Sequence, residues 1–222
     1  KAARGAGFGW GAAEETGRAV RWLASFGLPG PDLLLARLTR FDGPDEGGMP
    51  GGSGNLPLRA LSPRSLDGDW RGTGGTLCPI HAGAALSDTA ERVAGRGGLT
   101  LHEVLCPLLL VPFAALVSRQ VDAPVSVGWA DLLLTCDGDA PWLNGTRSHA
   151  SDERAGAVRC AVSIDTGAAR GTEPGERAAR VTRATPGADA VAGLEGFAQR
   201  TYAPATEESR HRGAGGASAG DG

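Results

Sequence analysis

Apolar positions recur at helical spacing near the start of the chain, then at strand spacing through its middle. Between residues 12 and 26, Val20, Leu23 and Phe26 form one apolar stripe. Ala13, Gly17, Val20 and Ala24 form a second stripe of small residues, suited to close approach by another element. Glu14 and Glu15 precede Arg18 and Arg21, which complements the helix dipole, and Glu14–Arg18 is an i,i+4 pair of the favourable polarity. Gly27 is placed to end this helix as its C′ residue, with Leu28 as the apolar C″ partner and Pro29 as the stop. Pro31 then opens a second helix with Leu34, Leu35 and Leu38 on one face, so a helical hairpin is predicted.

The period changes further on. Val125, Val127 and Trp129 alternate, Ala130-Asp131 suits a turn, and Leu132–Cys136 returns. Val158, Cys160, Val162 and Ile164 alternate with Arg159, Ala161, Ser163 and Asp165, the pattern of a half-buried strand. Leu108–Val111 reads as a short strand, followed by a helix opened by Pro112 with Phe113, Leu116 and Val117 inward. Residues 137–156 and 166–178 read as polar loops. A last helix is predicted over Asp189–Tyr202, burying Val191, Leu194, Phe197 and Ala198. Helices at both ends with strands between predict an α+β fold, with the hairpin and the C-terminal helix packed on a mainly antiparallel sheet. Residues 1–212 are read as one domain interrupted by a Gly/Pro-rich loop at 42–57, and residues 213–222 as a disordered tail.

Composition narrows the partners. The net charge is −3 and Lys1 is the sole lysine, so no basic footprint for nucleic acid exists. The longest apolar run, Val104–Val117, is too short for the roughly 20 residues of a membrane span and contains Pro107 and Pro112. Cys78, Cys106, Cys136 and Cys160 lie in apolar segments without a secretory mark, and are expected to be reduced and buried in a cytoplasmic protein.

Four stretches carry a family resemblance: Gly5-Ala-Gly-Phe-Gly-Trp-Gly11 with the helix after it, Leu77-Cys-Pro-Ile-His-Ala-Gly-Ala-Ala-Leu86, Pro107–Ala115 and Arg200-Thr-Tyr-Ala-Pro-Ala-Thr-Glu-Glu-Ser-Arg210. In these the chain resembles a bacterial family known as domain of unknown function 3726. The resemblance implies a single-domain architecture and no reaction. It also implies a short helical lead-in upstream of Lys1 and a different continuation after Gly215.

Gly7-Phe-Gly-Trp-Gly-Ala12 matches the loosest dinucleotide fingerprint, but that fingerprint needs a preceding strand and Lys1–Arg4 looks helical. The bend is read as a Gly-rich joint with Trp10 packed beneath it, or as part of an anion pocket with Arg4. Cys78-x-x-His81 and His102-x-x-x-Cys106 have metal-ligand residue types but not the duplicated spacing of a zinc site, so Cys78 and His81 are weak candidates and no metal or cofactor is assigned. The plain reading of both pairs is structural. A Cys78 nucleophile with His81 as base would instead give a hydrolase or transferase.

Three functions from different classes follow. In the first, the chain binds a small anionic metabolite through Arg4, Trp10, Arg18, Arg200, Tyr202, Glu207 and Arg210. The second is an enzyme using Glu14, Glu15, Glu207 or Glu208 for acid–base work with Tyr202 as a proton donor. The third is a subunit or scaffold docking through the small-residue stripe of the first helix.

Overall fold

A computed structural model describes residues 1–42, 64–73, 76–130, 132–138, 140–144, 160–167 and 175–202. The expected loop at 42–57, apart from Asp42, and the expected tail lie outside them, as do residues 145–159 and 203–222.

The N-terminal signals act as their chemistry dictates. Helix α1 spans Ala2–Gly5, and α2 spans Trp10–Ser25. Gly27 adopts φ 68°, its N–H donates to Ala24 O, and the Leu28 N–H donates to Leu23 O, both at 3.0 Å. These are the paired hydrogen bonds of a Schellman motif, which satisfy carbonyls that the helix end would otherwise leave open. Helix α3 follows at Gly30–Phe41, with Pro31 in its first turn. Thr16, Ala19, Leu23 and Phe26 are buried along α2, and Leu33, Leu34 and Leu38 along α3. The stripe of Ala13, Gly17, Val20 and Ala24 is half-buried.

Helices α4 (Pro79–Asp88) and α5 (Ala90–Gly95) and strand β1 (Gly98–Val104) come next. The Leu108–Val111 strand expectation is corrected: Pro107–Leu110 forms a 3₁₀ turn, and Val111 already begins α6 (Val111–Val121). Prolines at 107 and 112 lack the N–H groups that a ladder needs, and both suit helix starts. Phe113 and Val117 face inward, and Leu116 is half-buried.

Strands β2 (Val125–Trp129) and β3 (Leu132–Asp137) form the expected hairpin, with Trp129 opposite Leu132. Two strands lie where polar loops were expected, β4 (Ala140–Asn144) and β6 (Glu176–Arg177), flanking β5 (Cys160–Asp165) in sequence. The missed signal for β4 is Asp137-Gly138, a hairpin turn pair with Gly138 at φ 72°. The sheet order is β1-β5-β2-β3-β4-β6, and every neighbouring pair is antiparallel.

Helix α7 spans Ala188–Gln199, beginning one residue before the expected start and ending three residues before the expected end. Phe197 is buried and Leu194 half-buried, but Val191 is 39% exposed and not part of the core. The α+β expectation stands with seven helices and six strands among the described residues. Helix α6 lies directly on β2 and β3, and α4 and α2 pack on α6. Helix α7 packs on α1 and α3, so it joins the helical layer from outside. No helix among the described residues is long and apolar enough to cross a membrane.

Candidate functional site

Within the apolar face of α3 one residue breaks the pattern. Arg37 sits among Leu33, Leu34 and Leu38 and is fully buried. A buried guanidinium is costly unless negative charge compensates it. Its charge acts on two groups of α4, Cys78 and His81.

Cys78 is the N-cap of α4, in extended conformation (φ −74°, ψ 124°), and its carbonyl accepts the Ala82 N–H at 2.9 Å. Pro79 at the first helical position supplies a preset φ where no donor is needed. His81 falls one turn on, at N3, where its backbone N–H points back at the cap. The residue before the cap is held firmly: the Leu77 N–H donates to Glu103 O at 3.0 Å and the Leu105 N–H to Leu77 O at 3.4 Å. Those partners lie in a bulged end of β1, where the register shifts between Leu101 and Val104. Glu103 (φ 55°) and Cys106 (φ 48°) are both left-handed there. Two non-glycine residues in that region store strain of about 1–3 kcal/mol each, which surrounding packing must maintain.

The electrostatics of Cys78 follow from this position. Burial alone raises a thiol, but the Arg37 charge and the His81 ring and N–H outweigh it, and the Cys78 pKa is lowered to about 6. For His81, burial disfavours the charged ring, yet the Cys78 sulfur more than offsets this and the pKa is raised. Each of the two groups thus favours the charged form of the other, and the α4 N-terminus adds its dipole on the side of the thiolate. Cys78 and Arg37 are fully enclosed, while His81 keeps an edge toward solvent. Over the ring lies Phe8, fully buried, with centroids 5.8 Å apart and planes 21° from parallel.

The residues expected to bind an anion are placed as follows. Arg4 donates to the Phe8 carbonyl and stacks over Trp10 at 4.7 Å. Trp10 is 76% exposed, so the expectation that it packs beneath the bend is corrected: Phe8 occupies that place. Arg18 pairs with Glu15 at 2.6 Å and with Glu14 at 3.9 Å on the outer surface of α2. Arg200 makes a bidentate contact with Asp42, at 2.8 and 2.9 Å. Lys1 Nζ donates to Tyr202 Oη at 2.9 Å, so α1 meets the end of α7. Glu207, Glu208 and Arg210 lie outside the described residues. Arg4 and Arg200 are therefore brought to one end of the molecule, and Arg18 is engaged elsewhere on α2.

His102 does not join Cys106. It faces Arg71 at 3.3 Å and Asp69 at 3.5 Å, on a segment that bridges to β1 through Trp70. Among the described residues no three His, Cys, Asp or Glu side chains come together in a way that would hold a metal ion. Cys78, Cys106 and Cys136 are buried thiols.

Residues 1–49 match the family described as Protein of unknown function (DUF3726). Over that stretch the chain resembles this family. The matched stretch contributes Phe8 and Arg37 to the thiol cluster, while Cys78 and His81 lie beyond it. No curated protein and no solved structure matches the chain.

Proposed function

We propose that this chain is a thiol-dependent acyl-transfer enzyme, a hydrolase or transferase of a small substrate, with Cys78 as nucleophile. The observation that carries the reading is the convergence of Arg37, His81 and the α4 N-terminus on one sulfur. The Cys78 thiolate attacks the substrate carbonyl carbon, and the negative charge passes from sulfur to the carbonyl oxygen. Arg37 and the helix N-terminus are the positive features beside that charge. His81 gives its proton to the leaving group as the bond to carbon breaks, and water or an acceptor then releases the acyl group from sulfur. Substrate would enter past His81, the one member of the trio with an open edge. A reducing bacterial cytoplasm suits a catalytic thiol.

Iodoacetamide alkylation followed by peptide mass spectrometry, across pH 5 to 9 on the native protein, tests this. The reading expects Cys78 to react with an inflection near 6 and the reaction to vanish in Cys78→Ser. An unreactive Cys78, or one titrating in the ordinary thiol range near ~8.5, would sink it.

A second reading rests on the meeting of α1 with α7. The bend carrying Arg4 and the end of α7 carrying Arg200 and Tyr202 would hold a small anionic metabolite. A thermal-shift screen of anionic metabolites, repeated on Arg4→Ala, tests it: a hit lost in the variant supports it, and a hit that survives removes the assigned residue.

A further inference from the structure

We infer that Phe8 is a positioning residue for His81, and that Arg4 fixes Phe8 in that task. The inference rests on the thiol reading above and names what aims its imidazole.

A histidine that serves a thiol has its ring orientation fixed from the far nitrogen, commonly by a carboxylate or a carbonyl. On His81, Nδ1 is buried and has no hydrogen-bond partner among the described residues. Nothing polar on that buried nitrogen holds the ring to one rotamer. The near-parallel stack of Phe8 at 5.8 Å is the contact that does so. A π face at this distance also favours the charged imidazolium over the neutral ring.

Phe8 is itself held from both sides of its peptide. Its N–H donates to Ala3 O at 3.0 Å, and its carbonyl accepts from the Arg4 guanidinium, so α1 grips the residue twice. Gly7, at φ 97°, makes the reversal between α1 and Phe8, whose ring is buried. Arg4 is steadied in turn by stacking over Trp10. The Gly-rich bend thus has a task that neither a dinucleotide nor an anion is needed to explain.

The test is the Cys78 alkylation profile in wild type, Phe8→Leu, Phe8→Tyr and Arg4→Ala. Phe8→Leu keeps an apolar side chain and removes the π face. The rate at pH 6.5 should fall about three- to tenfold, as expected for loss of a cation–π contact. Phe8→Tyr should restore it, and Arg4→Ala should shift the profile in the same direction. A wild-type inflection near 6 with folded Phe8→Leu and Arg4→Ala variants that match it overturns the positioning role and leaves the thiol reading intact. A wild type without that inflection overturns both. If Phe8→Leu fails to fold, Arg4→Ala decides: a shifted profile supports the role, and an unchanged one ends it.

Discussion

Cys78 and Cys136 are both completely buried, yet their surroundings drive the two thiols apart. Cys136 lies on β3 beneath α6, donates weakly to Val111 O at 3.7 Å, and burial pushes its pKa up to about 12. Cys78 meets the same burial but also Arg37 and His81, and is lowered to about 6. The difference lies in one cation from α3 and in His81 at the start of α4, not in depth.

Removing Arg37 should make Cys78 behave like Cys136. Arg37→Met keeps a long apolar side chain in the α3 stripe and deletes the charge. The Cys78 alkylation inflection should move to or above the ordinary thiol range, with the rate at pH 7 falling at least about tenfold. An inflection that stays near 6 would assign the lowering to His81 and the helix alone.

The same couplings make stability depend on pH, in a direction set by each group. A thiol lowered in the folded state contributes stability that is complete above its unfolded pKa and is lost as pH falls through about 6. His81, raised in the folded state, contributes fully below its unfolded value and loses this as pH rises through the folded one. The two run in opposite directions with pH and offset one another in the wild type. In Cys78→Ala only burial and the Arg37 charge act on His81, and both lower it, so this variant should lose stability as pH falls below about 6.5 in denaturant melts. A Cys78→Ala stability that is flat across that range would mean that His81 does not meet that burial and charge.

The contact between the two terminal regions depends on a missing side chain. A Cβ on Gly5 would run into the backbone carbonyl of Phe197, which cannot yield as a side-chain tip would. Gly5→Ala should cost about 1–3 kcal/mol through overpacking, or roughly 2–9 °C in melting temperature for a chain of this size. An unchanged melting curve would show that α7 slides freely on α1.

The Arg200–Asp42 bridge should matter far less. Its geometry is bidentate, and donating to the Asp42 carboxylate raises the Arg200 pKa, but the Arg200 side chain is 40% exposed. Asp42→Ala should cost no more than about 1 kcal/mol, and a double-mutant cycle with Arg200→Ala should return a coupling below that. A larger coupling would make this pair a main clamp between α3 and α7.

What the sequence made legible was local. The end of α2 was readable because Gly27, Leu28 and Pro29 each carry a separate constraint, and β2 because the alternation of Val125, Val127 and Trp129 is unbroken. Strand β1 was not, since its register is bulged and its neighbour β5 lies far along the chain. Leu108–Val111 is apolar on every position, so its period could not separate strand from helix. For the thiol cluster, the Cys78/His81 spacing was visible while its partner was not. Arg37 carried a signal all the same: a cation one residue before Leu38 on a helix face otherwise built of leucine. The Phe8 contact joins positions with no shared periodicity, which no local pattern reports.

The placement of β5 between β1 and β2 has a consequence for biosynthesis. The ribosome delivers β1 and then the β2–β3–β4 ribbon well before the strand that belongs at their seam. Until residues 160–165 emerge, β1 and β2 each present an open edge, a template for pairing with other nascent chains. The ladder closes only through distant contacts, the slow class in folding. Substitutions that weaken the pairing of β5 should therefore lower yield during expression as well as the stability of the finished molecule.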